Sequence, residues 1–260
     1  MTPTTEVAPA RGWRVGLPLG VAVAAIAATI VAPPIRQDSA YHDFADQRVM
    51  LGVPHAFNVL SNVGFLLAGP WALTRVTRAA LPGWELAAGV LFAVGLFLTG
   101  LGSASYHWAP SNATLVWDRL PLSTLFPAVL AVVIGDRVSV AAGRGLLGPM
   151  ALGALGSVVW WHLTDDLRAY ALAQFLPMLL IPLMLTLLPG RRPAGPLIGG
   201  IALYAVGKGV EMADRDLFAL GGLVSGHTLK HLLAAAAAAL IVRWLAPAPD
   251  TLAAPWPKRS

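Results

Sequence analysis

Eight stretches of about twenty residues with almost no charge constrain this chain more than any other feature: roughly 13–32, 55–75, 84–107, 114–134, 145–162, 170–188, 196–211 and 222–245. An apolar helix of that length spans the ~30 Å hydrocarbon core and satisfies its own backbone polar groups, which open strands cannot do in lipid. The chain is 57% hydrophobic and 12% charged, whereas soluble domains run near half and about a quarter. The connections are too short for a separate soluble domain. The sequence therefore predicts an all-α, polytopic transmembrane helix bundle folded as one membrane domain.

The positive charges predict its orientation. Arg11, Arg14, Arg75, Arg78, Arg137, Arg144, Arg191, Arg192, Arg243, Lys258 and Arg259 fall on one side of the alternating spans. The alternate loops hold Arg36, Arg48, Arg168 and Arg215 with most of the acids, including Asp38, Asp43, Asp46, Asp165, Asp166, Asp214 and Asp216. Both termini are expected in the cytoplasm, as a short N-terminus (1–12) and a disordered Pro-rich tail (246–260). The acidic loops are expected outside, in a multi-pass cell-membrane protein. The stretch 13–32 reads as a retained helix; a signal peptide is the alternative, and cleavage would leave seven helices in the same orientation.

With no cysteine in the chain, disulfides, thiolate nucleophiles and Cys-ligated metals are excluded. The net charge of +5 is accounted for by the loops, and no basic run with interleaved aromatics points to nucleic acid. Nothing in the sequence specifies an oligomeric state.

The chemistry resides in a few polar residues within the spans. In "SGHTLKH", His227 and His231 stand at i and i+4 near the start of the last span, on one helix face and one turn apart. Two imidazoles so placed can grip one metal ion. The alternative is a pair of packed or interfacial histidines, but ionisable groups inside a membrane helix generally mark function. In "SASYHWAPSNATLVWD", Ser103 and His107 repeat the spacing at the end of the third span, with a Pro-Ser-Asn turn following.

The loop charges put His107, His227 and His231 at one depth, near the outer leaflet. Three imidazoles there make the open shell of a catalytic zinc, which needs no thiol. Asp118, one turn into the fourth span, returns to the same depth. It could move protons between a metal-activated water and a leaving group; an ion pair with Arg119, Lys208 or Lys230 is the alternative. The Ser103 hydroxyl could stabilise an oxyanion or bond its own helix carbonyl. A Ser-His-Asp triad would leave His227 and His231 unexplained. Asp43 and Asp46 could form a second cation site or simply a solvated acidic loop. Lys208 and Glu211 are expected to pair at i, i+3. Trp108, Trp117, Trp160 and Trp161 are expected in interfacial belts.

Together these residues resemble the alkaline ceramidase branch of a seven-helix superfamily of membrane hydrolases, which also includes the adiponectin and progestin receptors and the GPI-lipid remodelling hydrolases. The shared pattern is S-x3-H, then D early in the next helix, then H-x3-H in the last; here it is Ser103 with His107, Asp118, and His227 with His231. "FNVLSN" (57–62) is similar to the ceramidase first-core-helix signature, and "DFAD" (43–46) to the acidic segment before it.

The resemblance covers about 41–245 and implies a seven-helix hydrolase core, within a ceramidase-like membrane domain at 33–245, to which helix 13–32 is an addition. It implies zinc on His107, His227 and His231, acid/base work by Asp118, and polarisation of the amide by Ser103. It also implies calcium at Asp43, Phe44 and Asp46. His55 and Arg48, however, stand where calcium-binding members carry Glu and Asn, so that site is expected to be altered or absent. The expected activity is cleavage of the amide of ceramide-like membrane lipids to fatty acid and long-chain base. The alternatives are ester hydrolysis of a phospholipid, a lipid receptor or sensor with structural zinc, and a proton-coupled transporter using Asp118, Lys208 and Glu211.

Overall fold

The computed structural model describes residues 12–248. The expected N-terminal segment 1–12, apart from Gly12, and the expected tail 246–260, apart from 246–248, lie outside the described residues. The architecture is an all-α bundle, and no strand forms among the described residues. Its helices are α1 (Gly12–Val31), α2 (Ala56–Leu60), α3 (Val63–Arg78), α4 (Gly83–Trp108), α5 (Asn112–Arg137), α6 (Val140–Thr164), α7 (Arg168–Leu187), α8 (Gly195–Met212), α9 (Asp214–Ala219) and α10 (Gly226–Leu245).

Seven segments are long and apolar enough to cross a membrane, with α2 and α3 counted together as Ala56–Arg78. That pattern is the pattern of a multi-pass membrane protein. The helix α8 falls short because Lys208 and Glu211 interrupt it, yet it packs along α10 within the bundle. All eight expected spans are therefore helices, and seven of them carry span-like composition.

Local chemistry sets the boundaries. Ser111 caps α5 by accepting from the Thr114 backbone N–H, and the Thr114 hydroxyl accepts in return from the Ser111 N–H. This capping box ends the turn between α4 and α5 and starts Asp118 at a fixed height. Ser225 caps α10 in the same way through Thr228 N–H. Arg168 bonds Asp166 through two nitrogens and reaches the carbonyl of Ala32 just past α1, tying the added helix to the bundle. Despite Pro177 and Pro182, α7 continues unbroken.

Small residues let the helices that carry the site approach closely. A Cβ on Gly102 would stand 2.0 Å from the Trp117 carbonyl oxygen, and one on Gly226 would stand 1.9 Å from that of Val210. Each glycine lies beside a residue of interest, Ser103 in α4 and His227 in α10. Backbone-to-backbone contact there is a membrane-helix packing device, and it draws α4 onto α5 and α10 onto α8. The apolar core fills the middle of the bundle around Phe92, Leu96, Val129, Ile181 and Val242.

Candidate metal centre

The end of α4 and the start of α10 bring His107, His227 and His231 together, all buried. Their ring centroids form a nearly equilateral triangle, at 4.7, 4.9 and 4.9 Å. One nitrogen from each ring can be chosen so that all three lie within 4.8 Å of one another. His107 stands 120 positions before His227 in the chain, yet their Nε2 atoms face each other at 3.2 Å.

The donor set fits a metal ion. Two nitrogens on adjacent corners of a tetrahedron with 2.0–2.1 Å bonds stand about 3.3 Å apart, close to the observed separation. Neighbouring groups orient the rings. Ser61 Oγ lies 2.7 Å from His231 Nδ1, which leaves Nε2 for the centre. His55 Nδ1 donates to the His107 carbonyl at 2.9 Å. His107 turns its Nε2 to the centre, and its Nδ1 is buried without a hydrogen-bond partner among the described residues. One cation is already present: Lys230 Nζ lies 2.9 Å from His227 Nε2 and 2.8 Å from Glu211 Oε1. A metal on that Nε2 requires the ammonium to swing wholly onto Glu211.

Polar side chains from neighbouring elements fix the start of α10. Asp214 accepts from the His227 backbone N–H at 2.7 Å and, through its other oxygen, from Ala45 N–H at 2.9 Å. Asn58 Oδ1 accepts from the hydroxyls of Thr228 and Ser225. Asp214 favours the positive end of the helix as well as its free N–H groups. Asn58 and Ser61 come from the "FNVLSN" stretch, where the chain tightens between α2 and α3. Their roles toward α10 were not legible in the sequence, and neither was the contact of Lys230 with His227.

Ser103 and Asp118 meet next to the triangle. Both line a cavity of about 260 Å³ that His231 also lines. Ser103 and Asp118 are polar neighbours there, while Lys208 and Lys230 both pair with Glu211. The expected Lys208–Glu211 pair is therefore present, and no basic side chain forms an ion pair with Asp118 among the described residues. An apolar cavity of about 90 Å³ adjoins the first and shares Phe65, Leu122, Tyr204 and Ala234 with it.

In the acidic loop, where any cation site is expected to be altered or absent, the side chains meet protein partners. Asp43, Phe44 and Asp46 do not converge on a common cation position. Asp43 pairs with Arg215 and accepts from Gln47. Phe44 turns its ring onto His107 and His227, at 4.7 Å from each. Asp46 is buried and has both oxygens bonded by Arg48, at 2.8 and 2.6 Å. Arg48 also donates to the carbonyls of Gly222 and Leu223 and stacks over Phe57 and Phe218. Burial works against ionisation of Asp46, but the Arg48 hydrogen bonds outweigh it and hold its carboxyl below the usual carboxylate range. The fixed guanidinium thus takes the carboxylate and carbonyl oxygens that a hard cation would seek.

Trp161 also departs from expectation. It is buried, with Arg119 stacked 4.1 Å over its ring, whereas Trp108, Trp117 and Trp160 are exposed. His42 bonds Tyr106 and Asn112, as a structural histidine would. No protein-family model and no curated protein matches the chain.

Proposed function

We propose that this chain is a zinc-dependent integral-membrane hydrolase that cleaves the amide bond of ceramide-like lipids, as its resemblance to alkaline ceramidases implies. The observation that carries the reading is the buried triangle of His107, His227 and His231 with Asp118 and Ser103 on one adjoining cavity. Nitrogen donors without thiolate suit zinc, and three protein ligands leave a position open. Zinc bound there would supply Lewis acidity and make water a nucleophile at neutral pH.

The chain's own residues do the rest. Asp118 takes a proton from the attacking water and delivers it to the departing amine. Ser103 turns its hydroxyl toward the carbonyl oxygen as negative charge develops there. The glycine contact at Gly102 keeps the two on facing helices. The adjoining apolar cavity takes part of an acyl chain and excludes water from it. By the distribution of Lys and Arg, the site faces outward and both termini face the cytoplasm.

Purified protein in detergent tests the reading. The expected result is about one zinc per chain and fatty-acid release from ceramides, with His231→Ala losing both. Zinc below about a tenth per chain overturns the metal centre. Full zinc with no release from any ceramide or phospholipid favours a receptor in which the metal holds helices together. Release from phospholipids alone favours the ester hydrolase.

A further inference from the structure

We propose that two loops at the end of the bundle where α4 finishes and α10 begins, 49–53 and 220–224, form an apolar lip that inserts into the interfacial region of the adjoining lipid leaflet. The lip requires only the membrane bundle and is independent of the reaction the site performs.

The first loop is a two-residue turn. Met50 and Val53 exchange both backbone hydrogen bonds, at 3.0 and 2.9 Å. Leu51 and Gly52 between them both have positive φ, at 52° and 80°. That geometry favours Asn-Gly, and a leucine enters the left-handed region only under strain. The leucine placed there is 104% exposed, as open as in an extended peptide. Water does not stabilise such a side chain, so nothing in solution offsets the strain. Val49 and Met50 beside it are exposed as well.

The second loop repeats the pattern from a distant part of the chain. Leu220, Leu223 and Val224 are exposed between the end of α9 and the start of α10. Arg48 braces the two loops against each other. It donates to the carbonyls of Gly222 and Leu223 at 2.7 and 2.8 Å while also bonding Asp46. The exposed apolar side chains are thus carried on a fixed base. Neither 49–55 nor 217–229 contains an Asp, Glu, Lys or Arg.

Position in the chain identifies the partner as lipid. Val53 stands three residues before the candidate span Ala56–Arg78, and Val224 two residues before the candidate span Gly226–Leu245. Both loops therefore border the lipid-facing surface. His55 Nδ1 meets the His107 carbonyl at 2.9 Å, which sets the base of the first loop beside Trp108. That tryptophan is exposed at the end of α4, and exposed tryptophans at span ends sit at headgroup level. Apolar side chains at that level gain by entering the boundary between headgroups and acyl chains. The lip is also joined to the candidate metal centre. Asp46, held by the same Arg48, follows two residues after Phe44, whose ring lies 4.7 Å from those of His107 and His227.

The chain has no cysteine, so single nitroxide labels report on one place each. Met50→Cys and Leu223→Cys are labelled in phosphatidylcholine nanodiscs. Relaxation of each label by oxygen, which concentrates in lipid, is compared with relaxation by a water-soluble nickel chelate. Arg36→Cys is the water-facing reference, since the Arg36 side chain is 80% exposed. Leu67→Cys, at an exposed position of α3, is the lipid reference. The labels at 50 and 223 are expected about 5 Å below the lipid phosphates, with the label at 36 in water. Leu51→Asp in the Met50→Cys background is expected to return that label to water. Leu51→Asn keeps the turn, because asparagine accepts positive φ, and is expected to make the label shallower. The elution profile and thermal midpoint establish that each variant is folded.

Labels at 50 and 223 as open to the nickel chelate as the label at 36 overturn the proposal. So does an unchanged depth at 50 in folded Leu51→Asp and Leu51→Asn. Labels that neither oxygen nor nickel reaches overturn the lipid assignment in favour of a second copy of the chain covering the loops.

Discussion

At the end of the bundle where α4 finishes and α10 begins, buried polar side chains surround open space. At the opposite end, where α4 begins and α5 finishes, buried charges are packed shut. There Arg192 pairs with Glu85, Arg137 pairs with Asp136 at 3.1 Å, and Arg191 reaches Glu85 at 3.3 Å. Arg137 also donates to the carbonyls of Leu188 and Arg192, closing the loop between α7 and α8 over the ends of α4 and α5. A Cβ on Gly190 would stand 2.2 Å from Arg137 Nε, so nothing further fits. The histidine end instead keeps a cavity of about 260 Å³; hydrogen bonds go unmade at both ends among the described residues, on His107 Nδ1 here and on Arg192 Nε there, so open space is what separates the two. A closed charge network holds helices together, whereas polar groups around open space can meet a ligand.

That contrast can be broken from either end. The largest expected effect is at the open end: Asp118→Asn should lower fatty-acid release by roughly 10²–10⁴-fold while zinc per chain stays at the wild-type level. Loss of zinc in that variant would mean that Asp118 supports the centre and does not act in turnover. At the closed end, Arg192→Met leaves Glu85 with its pairing weakened inside the bundle. Thermal and denaturant unfolding in detergent should show a loss of about 3–5 kcal/mol, with the metal content of the folded fraction unchanged.

Smaller effects sharpen the comparison. Gly102→Ala pushes α4 off α5, and an overpacked contact of this kind costs about 1–3 kcal/mol. Turnover should fall more than zinc binding, because Ser103 and Asp118 face each other across that contact. Ser61→Ala removes the partner of His231 Nδ1 and should weaken zinc about 10–100-fold in a competition with a chelator. Unchanged zinc affinity would show that the Ser61 contact is incidental. The smallest effect concerns pH. The Asp46 carboxyl is lowered in the fold, so the Arg48 clamp is fully present above the unfolded carboxylate value of about 3.9 and is lost as pH falls through the lower folded value. Acid unfolding followed by circular dichroism should show that dependence in the wild type and lose it in Arg48→Gln.

Legibility in the sequence followed the range of the physics. Spans were readable because transfer of a helix into lipid sums over its own residues. The pairing of His227 with His231 was readable because i and i+4 share a helix face. His107 could be joined to them by depth, since loop charges orient each span independently of where histidines fall. Trp161 was misread as interfacial because hydropathy alone cannot distinguish a ring at the headgroups from one stacked under Arg119. Asp43 and Asp46 suggested one cation by their spacing, but Arg48 and Arg215 reach them from different directions.

The sequence alone determined an all-helical membrane bundle and the residues able to hold a metal, because hydropathy and helix periodicity are local properties. Only the tertiary structure decided that Ser61 contacts the His231 ring and Asp214 the start of α10, that Arg48 takes the oxygens of the acidic loop, and that Arg119 stacks under Trp161. Each of those depends on which helices touch, which here is set by backbone contacts at Gly102 and Gly226. The composition of any one helix does not encode such contacts.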